Sequence, residues 1–400
     1  MSKSYKFRLE PRESQRDLFA KTAGCCRWVY NWGLANRIAA YDLDKSTLSY
    51  VDQANQLPAL KKSNSTIWLS DVPSHCLQQS LKDLDLAYKN FFRRLKKGET
   101  PGFPRFKKKG DGDSFRLPDP KHIQADGEWV KLPKVGWVRF RKSREIEGRL
   151  RNVTITKSCD HWYISFNCEV EVVVFHNEGE AVGIDRGVTD TLTTSDDRHF
   201  RIPETIKKLE FKIEKAQRKL SRKVKGSSNR KKAMRRLSKL HEKLRNIRTD
   251  WLHKTSTMFA KNQSLIVLEK LQTRNMTQSA SGSVEEPGTN VQAKSGLNRA
   301  ILRQGWHSFE TMLDYKSKWY GSWLAFVDPK NTSRRCYSCG FTDQANRKKK
   351  LFLCIECGHT EDADVNAAKN ILKAVGHTVL ACGERGYSLD ESGTHTKVVS

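Results

Sequence analysis

The sequence predicts an α/β protein of several domains. A β domain is interrupted by a helical insert and followed by a strand-and-helix domain that carries a metal ribbon. Three features predict this class. Runs of β-branched and aromatic residues occur near the start (KSYKFRL) and again over 114–174, with helical periodicity between them. Two short buried-strand patterns, AVGID and LIVLE, flank a long helical pair. Two Cys-x-x-Cys pairs stand 14 residues apart near the end. A chain of 400 residues is long enough to bury two or three cores.

KSYKFRL alternates and reads as a strand. Leu18, Thr22, Cys25, Cys26 and Val29 then share one helical face, and a less regular helix runs from about Leu48 to Lys62. In HCLQQSLKDLDLAYKNFFRRLKK, Leu77, Leu81, Leu84, Tyr88, Phe91 and Leu95 form a packing stripe opposite Gln78, Lys82, Lys89 and Arg93. PGFPRFKKKGDGD breaks the helices. VKLPKVGWVRFR, LRNVTITKS and HWYISFNCEV read as strands, and with the first strand they suggest one β domain around the helical insert.

AVGIDRGVTDTLTTSDDRHF gives a buried strand, a turn and a second strand. Over 204–260, Ile206, Leu209, Ile213, Ala216 and Leu220 line one helical arm, and Leu237, Leu240, Leu244 and Ile247 line the other. Gly226–Asn229 supplies the turn, and the basic outer faces suit phosphate. Residues 273–295 are poor in apolar side chains and read as a mobile loop; residues 383–400 read as a disordered tail.

The formal charge of +28 calls for a polyanionic partner, nucleic acid first. No apolar run approaches the ~18 residues of a transmembrane helix, and the N-terminus has no signal-peptide pattern. The expected location is cytoplasmic and nucleoid-associated. In such a compartment ten cysteines are thiols or metal ligands. Cys25, Cys26, Cys76, Cys159, Cys168 and Cys382 lack ligand spacing and read as buried small hydrophobes. Cys336, Cys339, Cys354 and Cys357 have it, and a closed four-sulfur shell makes their Zn²⁺ structural. Gly340 and Gly358 follow each pair, where a positive φ turns backbone N–H groups toward the sulfurs.

Three acids end or begin buried elements. Taken singly, Asp364 reads as a helix N-cap, Asp185 as a turn acid and Glu269 as a strand-end surface residue. Taken together they make an oxygen-only ligand set. Their mutual repulsion would be relieved by Mg²⁺ or Mn²⁺, and paired ions hydrolyse phosphodiesters. No Ser-His-Asp order, Walker loop or HExxH pattern competes.

With those residues in view, strand–Asp185, strand–Glu269 and Asp364-x-Asn366-Ala367-Ala368 resemble the split RuvC nuclease of the TnpB proteins, transposon-encoded RNA-guided endonucleases regarded as ancestors of the type V CRISPR effectors. YKFRLEPRESQRDLF…GCCRWVYNWGL, QQSLKDLDLAYKNFFRR, PGFPRFKKK, SGLNRAILRQGW, TSRRCYSCG and NRKKKLFLCIECGHTEDADVNAAKNIL resemble the family's successive blocks. Arg334-Arg335 departs from the usual Gln-Thr, and 273–295 is variable ground. Glu361 and Asp362 do not align with the catalytic position.

The resemblance implies a β-barrel wedge domain (1–10 and 114–178) with an inserted helical recognition domain (11–113). An RNase H-like RuvC domain (179–382) then carries the zinc ribbon at about 331–361. It implies Asp185, Glu269 and Asp364 as catalytic ligands of Mg²⁺ or Mn²⁺, with Asp185 on both ions. It also implies a guide non-coding RNA (omega RNA), one protein per guide, and a double-stranded target DNA bearing a short adjacent motif. Base pairing then supplies specificity while protein supplies charge and shape. Gln78 and Gln79 are candidate motif readers, since glutamine pairs with adenine edges. Lys82, Tyr5 and Lys6 are further candidate nucleic-acid contacts. The competing functions are a nuclease-inactive RNA-guided repressor, a transposase accessory, and a DNA-joining transposase; the last would need a His-x-His that the sequence lacks. A plain zinc-ribbon transcription factor leaves the acids unexplained.

Overall fold

A computed structural model describes residues 1–110, 112–172, 176–283 and 285–381. The chain divides into two compact units, Met1–Val172 and Val173–Ser400.

The first unit opens with β1 (Ser2–Glu10), α1 (Glu13–Asp44), α2 (Tyr50–Lys62) and α3 (Ser74–Lys96). It continues with β2 (Ser114–Leu117), β3 (Gln124–Asp126), β4 (Trp129–Leu132), β5 (Gly136–Phe140), β6 (Arg149–Ser158) and β7 (His161–Glu169). These strands form one seven-stranded sheet in the order β2-β6-β7-β1-β5-β4-β3. The first strand therefore lies between strands that follow the helices, pairing antiparallel with β7 along one edge and with β5 at its end. Its period-two pattern decides the face. Tyr5, Phe7 and Leu9 are buried, and Phe7 packs against Phe140 and Phe166 at 5.3 and 6.1 Å between ring centroids. Burying each such side chain contributes roughly 1.5–3 kcal/mol.

α1 and α3 meet at Gly33, where an added Cβ would stand 2.8 Å from a Leu81 methyl. The buried Gly33 carbonyl accepts from Gln53 of α2, whose own side-chain oxygen accepts from Arg37. Arg37 also pairs with Asp85 of α3, so this polar chain ties three helices together. The α3 stripe is buried only in its first half: Leu77, Leu81 and Leu84 are fully covered, whereas Leu95 is 47% exposed. Beyond Leu84 the stripe turns into an aromatic group of Tyr88, Phe91, Phe92 and Phe103. Cys25, Cys26, Cys76 and Cys168 are buried as expected. Cys159 is not: it sits half-exposed at the β6–β7 turn with φ 49°, where a tight hairpin, not packing, sets its place. Cys382 and the tail expected over 383–400 lie outside the described residues.

The second unit contains β8 (Ala181–Asp185), β9 (Leu192–Thr194), β10 (His199–Phe200), α4 (Thr205–Ser221), α5 (Ser228–Asn262) and β11 (Leu265–Glu269). Then follow α6 (Thr273–Met276), α7 (Val291–Gln304), α8 (Trp306–Tyr320), β12 (Trp323–Val327), β13 (Arg347–Lys348), β14 (Leu351–Leu353), β15 (Thr360–Asp362) and α9 (Ala363–Ala381). Its main sheet has the order β10-β9-β8-β11-β12, with β8, β11 and β12 parallel. Val182, Ile184, Ile266 and Leu268 are fully buried, as a parallel sheet covered on both faces requires. The helical pair is α4 and α5, with Gly226 at φ 86° before the Ser227 N-cap.

The described residues of 273–295, expected as a loop, include short structured pieces. They hold α6, a Gly282–Pro287 bridge and the first turn of α7. Side-chain donors order this segment in place of apolar burial: Asn298 donates to the Thr277 and Gln278 carbonyls, and Lys294 to that of Met276. Among the described residues no helix is long and apolar enough to cross a membrane.

Candidate functional site

The parallel pairing of β8 with β11 puts Ile184 beside Leu268, so Asp185 and Glu269, the next residues, end adjacent strands on the same side. The third acid arrives on α9, which crosses β8 at Gly183. A Cβ there would stand 2.2 Å from the Ala368 carbonyl oxygen, so only glycine lets helix and strand approach this closely. Asp364 lies one helical turn before Ala368.

The acids of EDAD have divided labour. Asp362 Oδ1 accepts the N–H groups of Asp364 and Val365 at 2.8 and 3.2 Å, and so caps α9. Glu361 pairs with Lys369 and lies 3.5 Å from His359. Asp364 is thereby released from capping, the role its position alone suggested. Its two oxygens accept from Arg347 Nη2 at 2.6 Å and Lys350 Nζ at 2.7 Å.

Asp185 feels both of the other acids. Burial, then the Glu269 and Asp364 carboxylates, push Asp185 up to about 7 against the pull of Arg347. Burial raises Glu269 as well, opposed by the Thr332 hydroxyl that donates to its Oε1. Arg186, buried beside them, donates to the Glu269 carbonyl and to Glu310 Oε2. Asp190 lies in the same neighbourhood, bound by Arg201 and Lys350. Burial would raise its pKa, but these two cations outweigh it and hold it at about 2. A cleft of about 570 Å³ is lined by Asp190, His199, Arg201, Lys350 and Asp362.

The four ribbon cysteines converge. Their sulfurs all lie within 4.8 Å of one another, with Cys336–Cys357 at 3.7 Å and Cys339–Cys354 at 3.6 Å. The edge of a tetrahedron with Zn–S bonds of 2.3 Å is about 3.8 Å, so the thiols fit zinc. Gly340 and Gly358 have φ 83° and 73°, and their N–H groups donate to the Cys336 and Cys354 carbonyls. β13, β14 and β15 form the ribbon's sheet. Asn366 and Asn370, one turn apart on α9, receive and donate across the first cysteine knuckle, to Tyr337, Arg335 and Thr332. The ribbon thus fixes the start of the helix that bears Asp364.

The three carboxylates are neighbours, but they do not gather as closely as the thiols. Among the described residues, only the four cysteines and a His75–Asp119–His122 group bring three or more donor atoms within 4.8 Å. Arg347 and Lys350 explain the difference, since they draw Asp364 toward the ribbon hairpin. The oxygen-only donor set fits a hard divalent cation, whose charge would replace that of the two basic side chains.

The candidate nucleic-acid contacts divide. Tyr5 is a correction: it is 2% exposed, its ring is in the β-sheet core and its hydroxyl donates to Glu147. The alternation that made it part of a strand also turned it inward. Lys6 faces outward with its Nζ 4.8 Å from the Tyr163 ring centroid. Gln78 and Lys82 are exposed on α3, and Gln79 is half-buried with its amide donating to Asp83. Sequence reading missed Arg186, Asp190, Thr332, Arg347 and Lys350. The basic run NRKKK offered a signal for the last two, but its excess of lysines hid which ones turn inward.

Comparison with known proteins agrees with this architecture. Family models match at three places: "Probable transposase" of the OrfB type over 165–280, the Cas12f1-like TNB domain over 306–371, and an OrfB helix-turn-helix domain over 1–46. The chain is 44% identical over 383 residues to an Escherichia coli protein named "Putative RNA-guided DNA endonuclease InsQ", covering 95% of this chain and 94% of the relative. It is 32% identical to a Streptomyces pristinaespiralis protein named "Putative RNA-guided DNA endonuclease", covering 96% and 92%. A solved Cas12f1–sgRNA–target DNA complex shares the fold at a TM-score of 0.51 and 14% identity, covering 93% of this chain and 98% of that one. From the identity to these relatives along nearly the whole chain, and from the matching family models, the chain belongs to the OrfB/TnpB family.

Proposed function

We propose that this protein is an RNA-guided DNA endonuclease. It hydrolyses phosphodiester bonds of target DNA at one centre formed by Asp185, Glu269 and Asp364. The observation that carries this reading is the placement of Asp185 and Glu269 at the ends of paired parallel strands, with Asp364 brought to them on the helix that crosses β8; burial and the other two carboxylates lift Asp185 to about 7, as expected of a place that calls for added cationic charge. Mg²⁺ or Mn²⁺ suits the donors, and Asp185, Glu269 and Asp364 would hold it. When bound, such ions supply Lewis acidity and an acidified water for phosphodiester cleavage.

The chain's own residues prepare that centre. Arg186 ties the end of β8 to the end of β11, and Thr332 orients the Glu269 carboxylate. Asp362 sets the first turn of α9 so that Asp364 faces inward. The four ribbon cysteines would hold a structural Zn²⁺ in a closed shell of sulfurs, and the ribbon would contribute by placing α9. The relatives' names and the +28 charge support a guide RNA and a target DNA as partners.

Asp185→Ala, assayed with the co-purified RNA and a matching target plasmid, should abolish cleavage while DNA binding persists. Retained cleavage removes Asp185 from the centre. Loss of cutting in the parent protein itself, with binding intact, would favour a repressor. The co-purified RNA should be one discrete species; a random mixture would argue against a dedicated guide.

A further inference from the structure

The first unit holds a cluster of metal-ligating side chains that the nuclease reading does not use. His75 stands in the first turn of α3, and Asp119 and His122 stand at either end of the turn that leaves β2. Ligand atoms of all three lie within 4.8 Å of one another. The two imidazole rings face each other at 24° with centroids 5.9 Å apart, and His122 Nε2 is 3.9 Å from Asp119 Oδ2. Asp119 and His122 share a face because three residues make one turn of a 3₁₀ helix. The other Asp119 oxygen, Oδ1, accepts the Lys121 N–H at 2.9 Å, which fixes the carboxylate and leaves Oδ2 toward the imidazoles.

We propose that His75, Asp119 and His122 form a second metal site, separate from the cysteine ribbon, that takes Zn²⁺ or a similar borderline divalent ion. Two imidazole nitrogens and one carboxylate favour that class, whereas Mg²⁺ prefers oxygen and water. Bonds of about 2.0–2.2 Å to such an ion put donors roughly 3.4 Å apart. No separation exceeds 4.8 Å, so each needs to close by at most about 1.4 Å, a movement within the reach of two exposed imidazoles rotating about their side-chain bonds. Three protein ligands leave a position for water. The ion would staple the start of α3 to the segment after β2, the strand α3 packs against. His75 shares its helix face with Gln78 and Gln79, one turn on. Occupancy would thus stiffen the part of α3 that presents these side chains.

The test uses the full-length, tag-free protein. Metal content and Co²⁺ titration separate the two sites. A tetrathiolate Co²⁺ centre has intense sulfur-to-metal charge-transfer absorption, and a nitrogen–oxygen centre has only weak visible bands. The expected result is two equivalents per chain, the second lacking charge-transfer absorption. His75→Ala and His122→Ala should each lose that second equivalent and keep the first. Added Zn²⁺ should raise the melting temperature of the parent protein and leave the double variant unmoved. Both histidines are exposed, so the metal-free variants should melt with the parent, which checks their folding. A single equivalent in the parent, or a second equivalent that survives in the double variant, overturns the proposal.

Discussion

Lys350 Nζ donates to Asp364 Oδ2 at 2.7 Å, so an ammonium from the ribbon hairpin sits on a carboxylate of the acid centre. The same ammonium reaches the buried Asp190. On the proposed reading, the lysine and a divalent cation would compete for one oxygen. Lys350→Met should therefore lower the Mg²⁺ concentration for half-maximal cleavage several-fold, measured as cleavage rate against metal concentration. A higher requirement would show that the lysine assists the metal.

Asp362 caps α9 through the N–H groups of Asp364 and Val365. Asp362→Ala should destabilise the protein by about 1 kcal/mol, and Asp362→Asn should retain most of that stability. Thermal melting of the two variants decides it. The alanine variant should also cut more slowly, because Asp364 rides on the turn that loosens.

Gly183 leaves 2.2 Å between a virtual Cβ and the Ala368 carbonyl oxygen. Gly183→Ala must push α9 away from β8, at a cost of about 1–3 kcal/mol. Denaturant titration should show the loss. Cleavage should fall further than Asp362→Ala makes it fall, because the whole helix moves.

Cys354→Ser should release the bound zinc and free the knuckle that Asn366 and Asn370 grip. Metal content should drop by one equivalent and cleavage should be lost. The isolated parallel sheet should remain protected in hydrogen exchange, since β8 and β11 pair without the ribbon.

Lys316 is buried, with its ammonium donating to the His253 carbonyl and to the Ser256 and Thr257 hydroxyls. Burial lowers its pKa from 10.5 to about 8. A lowered lysine gives stability that is full above the unfolded pKa and lost as pH falls toward the folded one. The stability of the parent relative to Lys316→Met should therefore rise between pH 8 and pH 10.5, by on the order of 3 kcal/mol in total. Paired denaturation curves across that range test it; a flat difference would mean the ammonium is not desolvated.

Much of this site was legible because its parts are chemically conspicuous. Four thiols in two close pairs have few other uses, Asp185 and Glu269 each end a recognisable buried strand, and Asp364 opens a helical pattern. Tyr5 was misplaced because an alternating strand reveals its two faces but not which one the sheet covers. Leu95 continued a helical stripe past the point where a partner was available to bury it. The order over 273–295 came from side-chain amides and an ammonium reaching carbonyls, a device that leaves no hydrophobic pattern. Arg347 and Lys350 were hidden among like charges, and only the hairpin's register separates those that turn toward Asp364 from those that meet solvent.

The acids enter the chain in the order 185, 269, 364, and the last stands on the helix that follows the ribbon. A ribosome therefore exposes the basic first unit and two of the carboxylates well before the third. A product of premature termination upstream of that helix would lack the third of the three acids. On the proposed reading, synthesis itself would act as the safety catch, because a half-made polypeptide would carry an incomplete centre.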